Sequence, residues 1–263
     1  MTQQRIQNVG KEIRYNRIVN PETGKMVLIP LDHGVIMGPL SGIEDPAQTV
    51  AQVVAGGANG VIINAGIAHS VYQAYMNRCG AVLNLTNIIT SDNDLTLIST
   101  VEYALQQGAD AISVQVMVGS KHERHMLENV RIVADQCSRW GLPLLAMMYP
   151  TDELLQERGH EVELLAARAG AELGADIVKT SYTGDQDSFK RLVDACPVPL
   201  VIAGGPQLNS EREVLQMVAD AMQCGAAGVA LGRNVWQSAN PTKMTAALVD
   251  IVHNGKTAGS VSL

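Results

Sequence analysis

The sequence predicts one α/β unit built as a single (β/α)8 barrel with a short N-terminal arm, and three observations carry that expectation. Eight apolar segments without polar alternation recur along the chain, each followed by a stretch able to form a helix. Gly57-Ala58, Gly108-Ala109, Gly174-Ala175 and Gly225-Ala226 each place a helix-ending glycine directly before every second strand. The length, 263 residues, is close to the roughly 250 of one such barrel. A two-unit repeat counted four times fits a closed eight-stranded sheet better than an open doubly wound one, which would break at a switch point.

Residues 1–25 form the arm, with a helix over Val9–Tyr15 and a turn at Asn20-Pro21-Glu22-Thr23-Gly24; residues 26–263 form the barrel. The strands are Met26–Asp32, Gly60–Asn64, Ala81–Leu85, Ala111–Val116, Leu144–Met148, Ile177–Thr180, Leu200–Ala203 and Gly228–Leu231. Their continuous apolar character suits a parallel sheet covered on both faces. Asp45 as N-cap and Pro46 in the first turn open a helix to Ala55. Further helices are expected near Ile67–Met76, Val101–Gln107, Lys121–Trp140, Glu161–Leu173, Asp187–Ala195, Glu211–Cys224 and Pro241–His253.

Composition narrows the function. Net charge is −7 and no basic block with interleaved aromatics occurs, which argues against a nucleic-acid surface. The start, Met1-Thr-Gln-Gln-Arg5, lacks an apolar signal core, and no apolar run reaches the roughly 18 residues of a membrane span, so a cytoplasmic protein is expected. Cys79, Cys137, Cys196 and Cys224 are widely separated and are expected as buried reduced thiols.

In a (β/α)8 barrel, reactive groups gather at the carboxyl ends of the strands. There the first strand brings Asp32-His33-Gly34, the fifth Tyr149-Pro150, the sixth Lys179, the seventh Gly204-Gly205 and the eighth Gly232-Arg233-Asn234. A buried lysine has its ammonium form disfavoured and becomes an amine able to attack a carbonyl. Beside it a phenol such as Tyr149 can move the proton of a substrate hydroxyl, and a carboxylate such as Asp32 can assist carbinolamine breakdown. Gly204, Gly205 and Gly232 let an anion approach the backbone in the two loops where barrels often hold phosphate, with Arg233 as a charged donor. His33 is expected to bond the turn, with substrate contact as the alternative, and Met147 packs beside the site within reach of substrate. Each residue alone has a bland reading as cap, packing residue or solvated charge; their convergence on one rim favours the chemistry.

His122 and His125 lie three apart on an expected helix, but no carboxylate or third histidine has an obvious position beside them, so a solvated face is expected and no metal. No cofactor is expected either.

Leu31-Asp-His-Gly34 with Gly38-Pro39, Ala146-Met-Met-Tyr-Pro150, Gly170 to Asp185, Ala203-Gly-Gly-Pro206 and Gly232-Arg-Asn-Val-Trp-Gln237 together make the chain resemble the archaeal-type class I (Schiff-base) aldolase family. The resemblance is strongest to its 2-amino-3,7-dideoxy-D-threo-hept-6-ulosonate synthase branch and spans nearly the whole chain. It implies a Schiff base at Lys179, acid/base work by Tyr149 and Asp32, and phosphate on the Gly204-Gly205 and Gly232-Arg233 loops. It further implies a phosphorylated ketose and a small aldehyde as substrates, and a homo-oligomer, often a decamer. A related branch resembles the thiolase that processes phosphorylated autoinducer-2. Relatives in the synthase branch usually carry a basic residue after the second strand and Arg-Gly after Tyr-Pro; here stand Asn64-Ala65-Gly66 and Thr151-Asp152-Glu153, which removes positive charge from the rim. Aldol or transaldol chemistry ranks first, then fructose-bisphosphate cleavage, then thiolase-type acyl transfer, with a non-catalytic phosphometabolite-binding barrel as the reading that needs no reactive amine.

Overall fold

The structure, a computed structural model, describes residues 8–88, 94–205 and 208–263. Strands β1 (Met26–Pro30), β2 (Gly60–Asn64) and β3 (Gly80–Asn84) are followed by a hairpin of β4 (Thr86–Ile88) and β5 (Leu95–Leu97), then by β6 (Ala111–Val118), β7 (Leu144–Pro150), β8 (Ile177–Ser181), β9 (Leu200–Ala203) and β10 (Gly228–Ala230). All but the hairpin form a closed barrel in the order β1-β2-β3-β6-β7-β8-β9-β10, with β10 returning to β1 and every pair parallel. This is the expected (β/α)8, or TIM, barrel.

The helices are α1 (Val9–Ile18), α2 (Gly34–Met37), α3 (Pro46–Ala55), α4 (Ala68–Tyr75), α5 (Val101–Gln106), α6 (Glu123–Trp140), α7 (Asp152–Arg158), α8 (Glu161–Glu172), α9 (Gln186–Ala195), α10 (Glu211–Gln223), α11 (Arg233–Trp236) and α12 (Pro241–Asn254). Their starts follow capping chemistry: Asp45, Thr100, Asp185, Ser210 and Asn240 each accept a backbone N–H two or three residues into the helix.

Alternation along the strands divides the core in two. Val27, Ile29, Val61, Ile63, Leu83, Val114 and Val178 face the helices, whereas Met26, Leu28, Ile62, Val82, Ala111, Leu145, Met147, Ile177, Val201 and Ala230 fill the barrel interior. Helix α1 closes the bottom of that interior: Ile18 is fully buried among the inward residues, and Tyr15 packs beside it. Gly80 makes room, since a Cβ there would sit 2.5 Å from Ile18 Cγ2. Lys11 with Asp176 at 2.6 Å and Arg17 with Asp110 at 2.8 Å pin the helix to the barrel. The arm helix runs one turn past Tyr15 because that turn carries the plug.

Several elements differ from expectation. The β4–β5 hairpin and the short helices α2, α7 and α11 lie outside the expected strands and helices. β8 continues two residues beyond Lys179, because Thr180 and Ser181 pair with Ile202 and Ala203. Similarly, β6 and β7 extend to the pair Val118 and Pro150. Lys179 and Tyr149 therefore stand within their strands, held on both sides.

Candidate active site

The interior changes character toward the carboxyl ends of the strands. Two residues beyond Ile62, Val82, Ala111, Met147 and Ile177, with the same strand parity, come Asn64, Asn84, Ser113, Tyr149 and Lys179. Period-two alternation thus turns a dry plug of aliphatic side chains into a polar layer at the mouth.

Lys179 is 6 % exposed, with its register partners Met147 on β7 and Val201 on β9. Its Nζ lies 3.7 Å from Met147 Sδ, a weak acceptor that does little to hold a charge. Burial lowers the lysine pKa, and the Asp32 carboxylate opposes that shift. The Tyr149 hydroxyl is pushed up by burial and then by the same carboxylate, so Asp32 lies in the field of both groups.

Asp32 follows β1. Its backbone carbonyl accepts from Asn64 Nδ2 at 3.0 Å and from Asn87 Nδ2 at 3.4 Å, and its side chain is 3.5 Å from His33 Nδ1. His33 begins α2, and its ring meets Trp236 edge-on at 5.5 Å between centroids. Burial lowers its pKa against the pull of Asp32, with Lys179 and Arg233 acting in the direction of burial. Asp32, Lys179 and Arg233 thus all act on the one imidazole.

The loops after β9 and β10 are joined to each other. Arg233 Nη2 donates to Gly205 O at 3.0 Å and Asn234 Nδ2 to Gly204 O at 2.8 Å. Gly205 has φ +64°, open to glycine at little cost. A Cβ on Gly232 would lie 2.9 Å from Pro30 O and 3.0 Å from His33 Cε1, so this loop must pass close to the end of β1. Trp236 Nε1, bonded to Pro30 O at 3.0 Å, fixes the same approach. Pro206 of the Ala203-Gly-Gly-Pro206 motif lies outside the described residues.

Residues 26–238 match the model of the DeoC/LacD family of aldolases. The chain belongs to that family. It is 39 % identical over 252 residues to a 2-amino-3,7-dideoxy-D-threo-hept-6-ulosonate synthase of Halobacterium salinarum, covering 94 % of this chain and 93 % of the relative. It is 36 % identical over 255 residues to a 2-amino-4,5-dihydroxy-6-oxo-7-(phosphonooxy)heptanoate synthase of Streptomyces griseus, covering 95 % and 93 %. Among solved structures it superposes with a TM-score of 0.83, at 30 % identity, on an archaeal fructose-1,6-bisphosphate aldolase whose catalytic lysine is covalently bound to the carbinolamine intermediate; 92 % of this chain and 99 % of that one are covered. The family expected from the sequence motifs is the family found, and the aldolase is of the class I, Schiff-base type.

Several features of this aldolase's mouth escape sequence reasoning. Asn64, Asn84 and Asn87 form a buried amide cluster: Asn87 Nδ2 and Asn84 Nδ2 both approach Asn64 Oδ1, at 3.3 and 3.4 Å, and Ser113 Oγ donates to Asn84 Oδ1 at 3.4 Å. The available signal was a polar residue two positions after an inward apolar one at the ends of β2 and β3. The hairpin that supplies Asn87 had its own signal, two short β-prone runs flanking a polar stretch of sequence at residues 90–94.

Two expectations need correction. Asp94, immediately before β5, comes to 2.8 Å from His125 Nε2 and 4.0 Å from His122 Nδ1, so a carboxylate does stand beside that histidine pair. It comes from another loop, which spacing along α6 could not show. Of the four free cysteines, Cys137 and Cys224 are buried as expected, whereas Cys79 and Cys196 are partly exposed. Burial nevertheless pushes the Cys79 and Cys137 thiols up to about 12, far from the thiolate range. Among the described residues, no helix is long and apolar enough to cross a membrane.

Proposed function

We propose that this aldolase joins a carbon fragment from a phosphorylated ketose, held as an imine on Lys179, to a small aldehyde, in the manner of a transaldolase. The observation that carries the reading is Lys179 itself, a buried amine whose charge is disfavoured, at a mouth shared with Asp32 and Tyr149. The neutral amine adds to the ketose carbonyl to give a carbinolamine, and loss of water, with Asp32 carrying the proton, leaves a protonated imine. Cleavage of the adjacent carbon–carbon bond sends its electron pair into the imine, forming an enamine and releasing the other fragment as an aldehyde, while that fragment's hydroxyl proton passes through the Tyr149 phenol to the Asp32 carboxylate left by the dehydration. In the forward addition the enamine attacks the aldehyde carbon, and the Tyr149 phenol, kept protonated by its surroundings, delivers a proton to the new alkoxide. Hydrolysis of the imine returns the water and frees Lys179.

The phosphate is assigned to the Gly204, Gly205, Gly232 and Arg233 loops, where backbone approach and a guanidinium coincide. The distal end favours a substrate without a second phosphate. The end of β2 offers Asn64, whose amide is engaged with Asp32 O, and α7 begins with Asp152 and Glu153. That ranks synthesis of a seven-carbon amino keto acid, the kind of product in both relatives' names, ahead of fructose-bisphosphate cleavage. His33 and Met147 would line the pocket beside the imine. The enzyme is placed in the cytoplasm as a homo-oligomer, a decamer by resemblance. The exposed Val35, Ile36 and Met37 of α2 support self-association.

Parallel turnover assays test the reading, one with fructose 1,6-bisphosphate and one with 6-deoxy-5-ketofructose 1-phosphate plus aspartate semialdehyde. Preference for the second pair supports it. Efficient cleavage of the bisphosphate with no condensation in the second assay overturns the substrate assignment.

A further inference from the structure

We infer that Asp94, His122 and His125 form a binding site for a divalent transition-metal ion that fastens the β4–β5 hairpin to α6. The three residues come from two separate segments of the rim, and one donor atom from each lies within 4.8 Å of the other two. His122 and His125 stand three apart at the start of α6, which puts both rings on one face, 5.9 Å between centroids. Asp94 approaches from the hairpin side.

The contacts within the cluster are those of converging donors. Asp94 Oδ1 is shut off from solvent and accepts no hydrogen bond, although His125 Nε2 is 2.8 Å away. That ring nitrogen is directed at Leu95 O, 3.3 Å distant, so a cation on its lone pair would meet two oxygens of the hairpin at once. Ligands of a tetrahedral zinc ion at about 2.0–2.1 Å are about 3.4 Å apart, so side-chain movements of about 1 Å complete the geometry. Two imidazoles and a carboxylate suit zinc or a similar ion better than calcium or magnesium, which prefer all-oxygen shells. The side chains are 22–38 % exposed, which leaves a path for the ion and room for a water ligand.

The site is separate from the Lys179 chemistry but is linked to it through the backbone. The hairpin it would hold carries Asn87, whose amide reaches both Asp32 O and Asn64 Oδ1. A metal here would stabilise the wall of the mouth and take no part in bond making.

Calorimetric titration of the chelator-treated full chain with Zn²⁺ tests the inference, alongside thermal unfolding with and without the ion. One equivalent should bind and raise Tm. His125→Gln and Asp94→Asn should each weaken binding about tenfold or more and abolish the rise, while Cys79→Ser with Cys196→Ser should leave both unchanged. Bound Co²⁺ should show nitrogen and oxygen ligation without a thiolate charge-transfer band. His125 is more than a third exposed, so its variant is expected to fold, and His122→Gln provides a second ligand deletion. Absence of Zn²⁺ binding in the unmodified chain, undiminished binding in the ligand variants, or a thiolate band would each overturn the site.

Discussion

Lys179 Nζ and Met147 Sδ face each other across neighbouring strands, 3.7 Å apart and in register. A thioether accepts an N–H without offering a charge, so the contact orients the amine while doing little to stabilise the ammonium. Lys179→Met replaces the amine by a side chain of similar length among the inward apolar residues. Turnover should fall by about 10⁴-fold or more, as expected when a covalent nucleophile is removed. Borohydride reduction in the presence of a ketose phosphate should tag Lys179 in the unmodified enzyme, by peptide mapping, and nothing in the variant. A tag on another lysine, or full turnover by the variant, would sink the Schiff-base assignment.

Tyr149 is assigned the proton transfer and Lys179 the covalent step, so the two can be separated. Tyr149→Phe keeps the ring and removes only the hydroxyl. The rate of carbon–carbon bond making should drop about 10²- to 10⁴-fold, while imine trapping at Lys179 persists. Rapid-quench measurement of the two steps decides. Equal loss of both would make Tyr149 a structural support of the lysine.

The barrel was legible because a buried parallel sheet demands unbroken apolar strands, and because Gly57, Gly108, Gly174 and Gly225 mark every second helix end. The position of Lys179 and Tyr149 was legible because an ionisable or phenolic group toward the carboxyl end of such a strand must lie near the mouth. The asparagine cluster was less visible. An amide carries no charge, and Asn at a strand end reads equally well as a turn residue; only the register of β2 against β3, with β4 following directly, brings Asn64, Asn84 and Asn87 together. Asp94 was hidden for a related reason, since its approach to His125 depends on a hairpin folding back across the rim. The plug at the other end depends on Ile18, one turn beyond the expected helix end.

That plug supplies a stability test. Gly80→Ala would set a methyl 2.5 Å from Ile18 Cγ2 and 2.8 Å from Arg17 O, so α1 must shift away from the barrel bottom. Overpacking of this kind costs about 1–3 kcal/mol, a Tm decrease of roughly 2–12 °C for a chain of this size. Adding Ile18→Val should recover little of the loss, because valine keeps the Cγ2 methyl and the second contact, Arg17 O, is backbone. A Tm unchanged by Gly80→Ala would mean that the arm packs more loosely than its burial indicates.

Arg233 ties Gly205 O, in the loops where the phosphate is proposed to bind. Arg233→Ala should raise KM for the phosphorylated ketose by roughly 10- to 150-fold, corresponding to one charge-assisted hydrogen bond of about 1.5–3 kcal/mol. The effect should shrink with the dephosphorylated sugar. An equal effect on both substrates would relocate the phosphate.

The pH dependence follows from the balance at Lys179. Burial lowers its pKa below 10.5 and Asp32 pulls the other way, so the neutral amine should grow in as pH rises to a midpoint below the free-lysine value. Asp32→Asn removes the anion that favours the ammonium, and the midpoint for borohydride trapping should move to lower pH even as carbinolamine breakdown slows. Stability carries the same sign. Between the lowered folded value and 10.5 the unfolded chain binds the proton more tightly, so this residue's contribution to stability rises with pH across that window; below it the desolvation penalty is present in full. Lys179→Met should therefore be at least as stable as the unmodified enzyme near pH 7, with the difference narrowing toward pH 10. Tm measured across that range checks it, and a variant less stable at neutral pH would mean that the lysine's partners outweigh its burial.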